Sequence, residues 1–304
     1  MAIRPPTSRE KLGHLIQAGA FYLFVGISRI IGLKASSFAM GKIAKTLGPH
    51  VPPTRRARQN LIHAMPQLDE NARRKIIRDM WENLGRTLGE YPHLQHLADN
   101  REHYVKVVGF EKALDVMARY GRGIYVSGHF ANWEVLVLLP LSHYKGALVY
   151  RAPNNPFIDA WITKQRQRLR PLLPISKSIH GARAMTNILK NGGYLCALID
   201  QKLSGGISVP FFGRPAPTSP TIARLALRHG CPVVPVGIER THGTHFVITV
   251  HTPLFFHDDV DDEQKILDLT HRLNLFLEDE IRARPGQWLW LHRRWGKERD
   301  TRNA

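Results

Sequence analysis

Cysteine is scarce. Cys196 and Cys231 are the only two among 304 residues, each inside an apolar run and without C-x-x-C spacing. A disulfide scaffold and a zinc ribbon are thereby excluded. Acid is also under-represented, with 25 Asp and Glu against 43 Lys and Arg, for a formal net charge of +18. That excludes an acidic, solvating or calcium-buffering protein. Internal repeats and low-complexity tracts are absent, and at 43% hydrophobic and 22% charged the composition is globular. What the chain has instead is arginine, 29 against 14 lysines. The planar guanidinium fork matches phosphate bidentately, so a phosphorylated or acidic partner is expected. Nucleic acid, an anionic membrane leaflet, and a phosphorylated small molecule or acidic carrier protein all fit that description.

The longest apolar run, Leu15 to Leu33, reads LIQAGAFYLFVGISRIIGL and is flanked by Arg9, Lys11 and Lys34. Nineteen residues reach across a hydrocarbon core of about 30 Å, but Arg29 near one end has to snorkel. A spanning helix and a helix lying at the interface both fit. Lys34, Lys42 and Lys45 follow the run without a small-x-small cleavage site, which argues against a signal peptide. Pro49, Pro52 and Pro53 then break the helix. Residues 1–48 are read as a membrane-docking segment and residues 49–304 as one domain with a helical lead-in over 54–100. Arg73, Arg74 and Lys75 in that lead-in are read as a solvated helix face.

From residue 103 strands and helices alternate. Strands are expected at 105–109, 123–128, 146–151, 194–200, 231–239 and 244–252, and helices at 111–120, 157–170, 181–191 and 219–230. Apolar strands separated by helices predict an α/β fold with a mostly parallel central sheet flanked by helices, and ligands at the carboxyl ends of the strands.

Directly after the strand ending near Ser127 comes GHFANWE, in which His129 and Glu134 enclose four residues. In one continuous helix five steps of about 100° put the two side chains roughly 140° apart. They meet only across a turn, where the carboxylate would hold the imidazole in one tautomer. A His–acid pair so arranged activates a hydroxyl nucleophile. The plainer reading, a satisfied His and a helix-start Glu, stands beside it on spacing alone.

Four blocks give the pair its company: GHFANWE at 128–134, VYRAPNNP at 149–156, DQKLSGGISVPFFGRPAPTSPTIARLALRHGCPVVPV at 200–236 and WLWLHRRW at 288–295. On them the chain resembles the late acyltransferases of lipid A biosynthesis, the lauroyl and myristoyl transferases of Gram-negative bacteria. The resemblance implies transfer of a fatty acyl chain from acyl carrier protein to a hydroxyl of a Kdo-lipid A precursor, at the cytoplasmic face of the inner membrane. It implies no metal or redox cofactor. Both substrates are anionic, as the charge of +18 prefers, and an anionic inner membrane is a third expected partner.

Carried over by position, the resemblance makes His129 the general base, Glu134 its orienting partner and Arg151 the cation for a substrate phosphate or the developing oxyanion. Asn132 and Asn154 are expected to donate hydrogen bonds to the site, and Asp200 with Gln201 to lie nearby at a strand end. Arg214, with Thr218 and Ser219 at a helix start, forms an expected anion cradle, for which Thr218 as a simple N-cap is the alternative. His242, His245, His251 and His257 lack a closing acid or thiol cluster and are read as surface or core residues, not a metal site. Trp288, Trp290 and Trp295 are expected to pack as core, and His292, Arg293 and Arg294 to close the fold or reach the site's mouth. Acyl transfer to another lipid, such as an ornithine lipid or a glycerophospholipid, is the runner-up. A basic nucleic-acid binder and a non-catalytic membrane scaffold remain as other classes, and neither uses His129 with Glu134; no nucleic acid is expected as a partner.

Overall fold

The computed structural model describes residues 8–296 apart from 142, 151–154, 170–171, 177–178 and 258. Helices α1 (Ser8–Ile31), α2 (Leu33–Leu47), α3 (Thr54–Ala64), α4 (Glu70–Glu90), α5 (Leu94–Asp99) and α6 (Arg101–Tyr104) come first. They are followed by β1 (Val105–Val108), α7 (Phe110–Tyr120), β2 (Gly123–Ser127), a 3-10 helix at Trp133–Leu138, β3 (Gly146–Tyr150), α8 (Pro156–Leu169), β4 (Leu173–Ser176), α9 (Ile179–Lys190) and β5 (Tyr194–Leu198). Strands β6 (Ile207–Phe211) and β7 (Arg214–Thr218), helix α10 (Thr221–His229), strands β8 (Val233–His242) and β9 (His245–Val250) and helix α11 (Asp262–Ala283) complete the order.

Seven strands form one sheet in the order β1-β9-β8-β2-β5-β3-β4, parallel throughout except for the β8–β9 pair. The expected α/β architecture is therefore observed. All five residues of β2 are buried, as a central parallel strand covered on both faces requires. One face of the central strands contributes Ile124, Val126, Ala147, Val149, Leu195 and Ala197 to a core with α10 and α11. The other face contributes Tyr125, Leu148, Tyr194 and Cys196 to a core that includes Trp288, Trp290 and Trp295, so the tryptophans do pack as expected.

Four elements, β4, β6, β7 and α11, lie beyond the strand–helix series read from the sequence. Strand β4 extends one sheet edge beside β3. Strands β6 and β7 form a separate hairpin around Phe212 and Gly213, at φ 51° and 69°. Two consecutive positive φ values are the geometry of a type I′ turn, whose twist matches the hairpin. Glu278 of α11 accepts from the Phe212 amide at 2.7 Å and holds that residue in its unfavourable conformation. Helix α11 is capped by Asp261, which accepts from the Gln264 amide at 2.9 Å, and buries Leu269, Leu273, Leu277 and Ile281 at every fourth position.

The N-terminal helices divide the apolar run differently from the expectation. Gly32, at φ 82°, separates α1 from α2. Lys11–Ile31 is long and apolar enough to cross a membrane by length and composition, and only 17% of it is buried. By contrast α2 lies along α4, where Gly85 and Gly89 leave no room for a Cβ: one would fall 2.3 Å from the Met40 carbonyl oxygen, the other 2.5 Å from that of Ser36.

Candidate active site

The segment after β2 is fixed from two sides. The His129 carbonyl accepts from the Leu289 amide at 3.1 Å, and the Ala131 amide donates to the Gln287 carbonyl at 2.9 Å. From the other side Asn83 and Thr87 of α4 donate to the Ala131 carbonyl at 3.0 and 2.9 Å. Ala131 sits at φ 44°. A left-handed conformation costs a non-glycine residue about 1–2 kcal/mol, which these hydrogen bonds offset.

Strands β2 and β5 are parallel neighbours with Ser127 opposite Leu198. His129 and Asp200 each lie two residues beyond that pair, so the register brings them side by side at the carboxyl end of the sheet. His129 Nδ1 lies 2.7 Å from Asp200 Oδ1, while Asp200 Oδ2 accepts from the His129 amide at 2.9 Å and from Trp288 Nε1 at 2.8 Å. Burial works to raise the Asp200 carboxyl, but the attraction of His129 and these donors outweighs it and holds the group below the ordinary carboxylate range. With Nδ1–H directed at Asp200, Nε2 is the basic atom. Gln201 Nε2 lies 3.4 Å from it and 3.1 Å from His292 Nε2.

The expected turn-bridged contact between His129 and Glu134 is not what forms. Glu134 is 2% exposed, and its carboxylate takes Arg166 Nε at 2.7 Å and Nη2 at 2.5 Å, Trp133 Nε1 at 3.1 Å and the Tyr91 hydroxyl. Burial opposes its charge, yet Arg166 and the Tyr91 and Trp133 donors overcome this and lower the Glu134 carboxyl. Burial also lowers the Arg166 guanidinium, but Glu134 more than restores it. The physical reason for the correction is direction. Asn132 caps the 3-10 helix by accepting from the Glu134 amide at 3.2 Å, and that helix turns Glu134 toward α8 while strand register gives the imidazole to Asp200.

Both pairs open on one cavity of about 580 Å³, lined by His129, Gln201 and His292, by Glu134 and Arg166, and by a largely apolar wall. That volume is in the ordinary range of roughly 300–1,000 Å³ for small-molecule sites. The wall follows strand register. Tyr125, Cys196 and Leu148 face each other across β2, β5 and β3, with Ser127, Leu198 and Tyr150 one tier nearer the imidazole. Beneath them Tyr194 lies opposite Gly123 and Gly146, its ring edge-on to Tyr125 at 5.7 Å.

Other expected site residues are placed elsewhere. Asn132 is fully buried, and its amide donates to Glu90 Oε2 at 2.8 Å, so it braces the loop from behind rather than facing the cavity. Arg214 is exposed at the tip of the β6–β7 hairpin and does not line the cavity. Thr218 ends β7 rather than opening a helix; its hydroxyl donates to the Ala216 carbonyl at 3.0 Å and accepts from Arg294 at 2.9 Å. Helix α10 begins at Thr221 with no side-chain cap from Thr218, and Ser219 bonds Thr221. The expected anion cradle is thus not assembled. Arg294 is fully buried against Thr218, Asn274 and the Phe211 ring and closes the fold. Arg151 and Asn154 lie outside the described residues. His292, one of the terminal-block residues expected to reach the site's mouth, does line the cavity. Arg166 and Tyr91 are cavity or support residues that spacing did not single out, and Arg166, inside the helical run KQRQRLR, gave no signal.

The family model for bacterial lipid A biosynthesis acyltransferase matches residues 6–297. A lipid A biosynthesis acyltransferase of Haemophilus influenzae is 26% identical over 245 residues, covering 78% of this chain and 76% of its own. The lipid A biosynthesis lauroyltransferase of Escherichia coli is 28% identical over 241 residues, again covering 78% and 76%.

Proposed function

The chain belongs to the bacterial lipid A biosynthesis acyltransferase family, and from that premise we propose that it moves a fatty acyl chain from acyl carrier protein to a hydroxyl of a Kdo-lipid A precursor at the cytoplasmic face of the inner membrane. The observation that carries the reading is the His129–Asp200 pair at the head of an apolar cavity. His129 Nε2 takes the proton of the acceptor hydroxyl as its oxygen bonds to the thioester carbonyl carbon. Asp200, kept ionised, stabilises the imidazolium that forms. The C–S bond then breaks, and the same proton passes to the departing thiolate. The apolar wall holds the acyl chain, and Arg166 is the guanidinium that the described cavity lining offers to developing negative charge. Arg151 and Asn154 enter this reading as acceptor-facing residues on the resemblance alone.

Mass spectrometry of lipid A from cells lacking the gene, and from the same cells expressing the protein or its His129→Ala variant, tests the reading. One added acyl chain with the intact protein and none with the variant is expected. Unchanged lipid A, with an ornithine lipid or glycerophospholipid gaining the chain, would overturn the acceptor assignment.

A further inference from the structure

A second concavity lies apart from the catalytic one and shares none of its lining. It is an open groove of about 930 Å³ where the end of α2, the start of α3 and the first turns of α4 meet. Five cations line it: Lys45, Arg55, Arg58, Arg74 and Arg78. Lys45 is engaged by Glu82 at 2.6 Å, and Arg58 and Arg74 share one carboxylate, Glu70. Arg55 and Arg78 are exposed and have no acidic partner among the described residues. From Arg78 to Glu90, behind the catalytic loop, α4 rises about 18 Å, so the groove serves no atom of the reaction directly.

Its surroundings say what it takes. On the solvent side of α2, Ile43 and Leu47 stand four residues apart in one row, 50% and 61% exposed, and Val51, next in that row's direction, itself lines the groove; Phe38, 55% exposed, marks the opposite edge of that side. The Lys42 ammonium lies over the Phe38 ring at 5.4 Å. An exposed apolar row on one helix that leads to a groove with two unneutralised guanidinium groups matches an amphiphile bearing a phosphate. An acidic protein surface would match the charge and leave the apolar row uncovered.

We propose that this groove binds the phosphate headgroup of an anionic bilayer phospholipid, with the exposed face of α2 set into the adjoining acyl region. The site is independent of the acyl-transfer reading and its test does not use turnover. Full-length protein is floated with vesicles of phosphatidylethanolamine alone and of phosphatidylethanolamine mixed with phosphatidylglycerol. The R55Q/R78Q variant is expected to lose about thirtyfold in affinity for the mixed vesicles, the worth of two interfacial cations, and to bind neutral vesicles as before. The K106Q/R224Q variant removes the same charge from exposed positions on β1 and α10 and is expected to lose less than about threefold. An equal loss in both variants, or an undiminished preference in R55Q/R78Q, overturns the proposal. Weakened binding of acyl carrier protein by R55Q/R78Q with lipid preference intact overturns it too, and gives the groove to an acidic protein.

Discussion

At the scale of single residues the two buried carboxylates have separable tasks. His129→Ala is expected to lower kcat by about 10²- to 10⁴-fold, the worth of a general base. Asp200→Asn should fall in the same range with KM little changed, because the amide would keep its oxygen on the His129 amide and Trp288 Nε1 and donate to His129 Nδ1, fixing the tautomer whose proton sits on Nε2. Glu134→Ala releases Arg166 and should disturb KM as well as kcat; an unaltered KM would show that Arg166 does not meet substrate. Acid stability gives an independent check. Asp200 is lowered in the fold relative to its unfolded value, so its contribution is complete above the unfolded carboxyl range near pH 4 and disappears as pH falls through the folded value. Melting temperature should therefore drop from about pH 4 downward, less steeply in Asp200→Asn; equal slopes would remove Asp200 as a cause. How much of this pair was legible follows from the same residues. The imidazole was, because His129 directly follows a strand in a distinctive block. Its partner was not, because the five-residue step to Glu134 is visible along the chain, whereas the pairing of Ser127 with Leu198 that delivers Asp200 exists only across strands.

At the scale of elements, strand register sets the depth available to an acyl chain. Successive tiers on one face are two residues, or about 6.6 Å, apart. Tyr125, Cys196 and Leu148 form the middle tier, and Tyr194 lies below them. Cys196→Phe should shift the preferred donor to a shorter chain while leaving His129 chemistry in place, read as the ratio of kcat/KM between donors of different length; an unchanged ratio would place the chain elsewhere. The turn above the cavity gives a second test. Ala131→Val puts a β-branched residue at φ 44° and should cost about 2 kcal/mol or more in chemical denaturation. Long apolar strands and the helices between them were readable, whereas α11, which follows the last strand, was not marked. Strand β4 and the β6–β7 hairpin were not, because Pro174, Pro210, Pro215 and Pro217 run against strand propensity and are tolerated in an edge strand and a two-stranded hairpin. Thr218 was misplaced for the same reason: PAPTSP reads as a helix entry until Arg214–Thr218 pairs with Ile207–Phe211.

At the scale of the whole molecule, the N-terminal helices split into one that faces outward and one that belongs to the body. Leu12, Leu15, Ile16, Leu23, Ile27 and Ile30 of α1 are each more than half exposed. In α2, Ser37 donates to the fully buried Glu90 at 2.7 Å. Glu90 in turn holds Asn132 behind the catalytic loop and pairs with Arg240 of β8. A break after Leu47 therefore cuts through a support of the active site, although sequence alone marked residue 48 as the natural boundary. Its three prolines are visible along the chain, and the fit of Gly85 and Gly89 against α2 is not. Two truncations should consequently behave differently. Deleting residues 1–31 removes the densest run of exposed apolar side chains, eight of the 24 large ones among the described residues, and we expect the remainder to fold, to bind membranes more weakly and with greater salt sensitivity, because more of the attraction left to it is electrostatic. Deleting residues 1–47 also strips Ser37 from Glu90, bares the glycine face of α4 and leaves a buried carboxylate short of a donor, a change that costs about 1–3 kcal/mol before any packing is counted. The longer truncation should melt several degrees lower than the shorter one and lose turnover even on detergent-dispersed substrate, where membrane affinity is irrelevant. If both truncations melt together and keep equal turnover in detergent, α2 is an appendage of the membrane helix and Glu90 does not hold the catalytic loop through it.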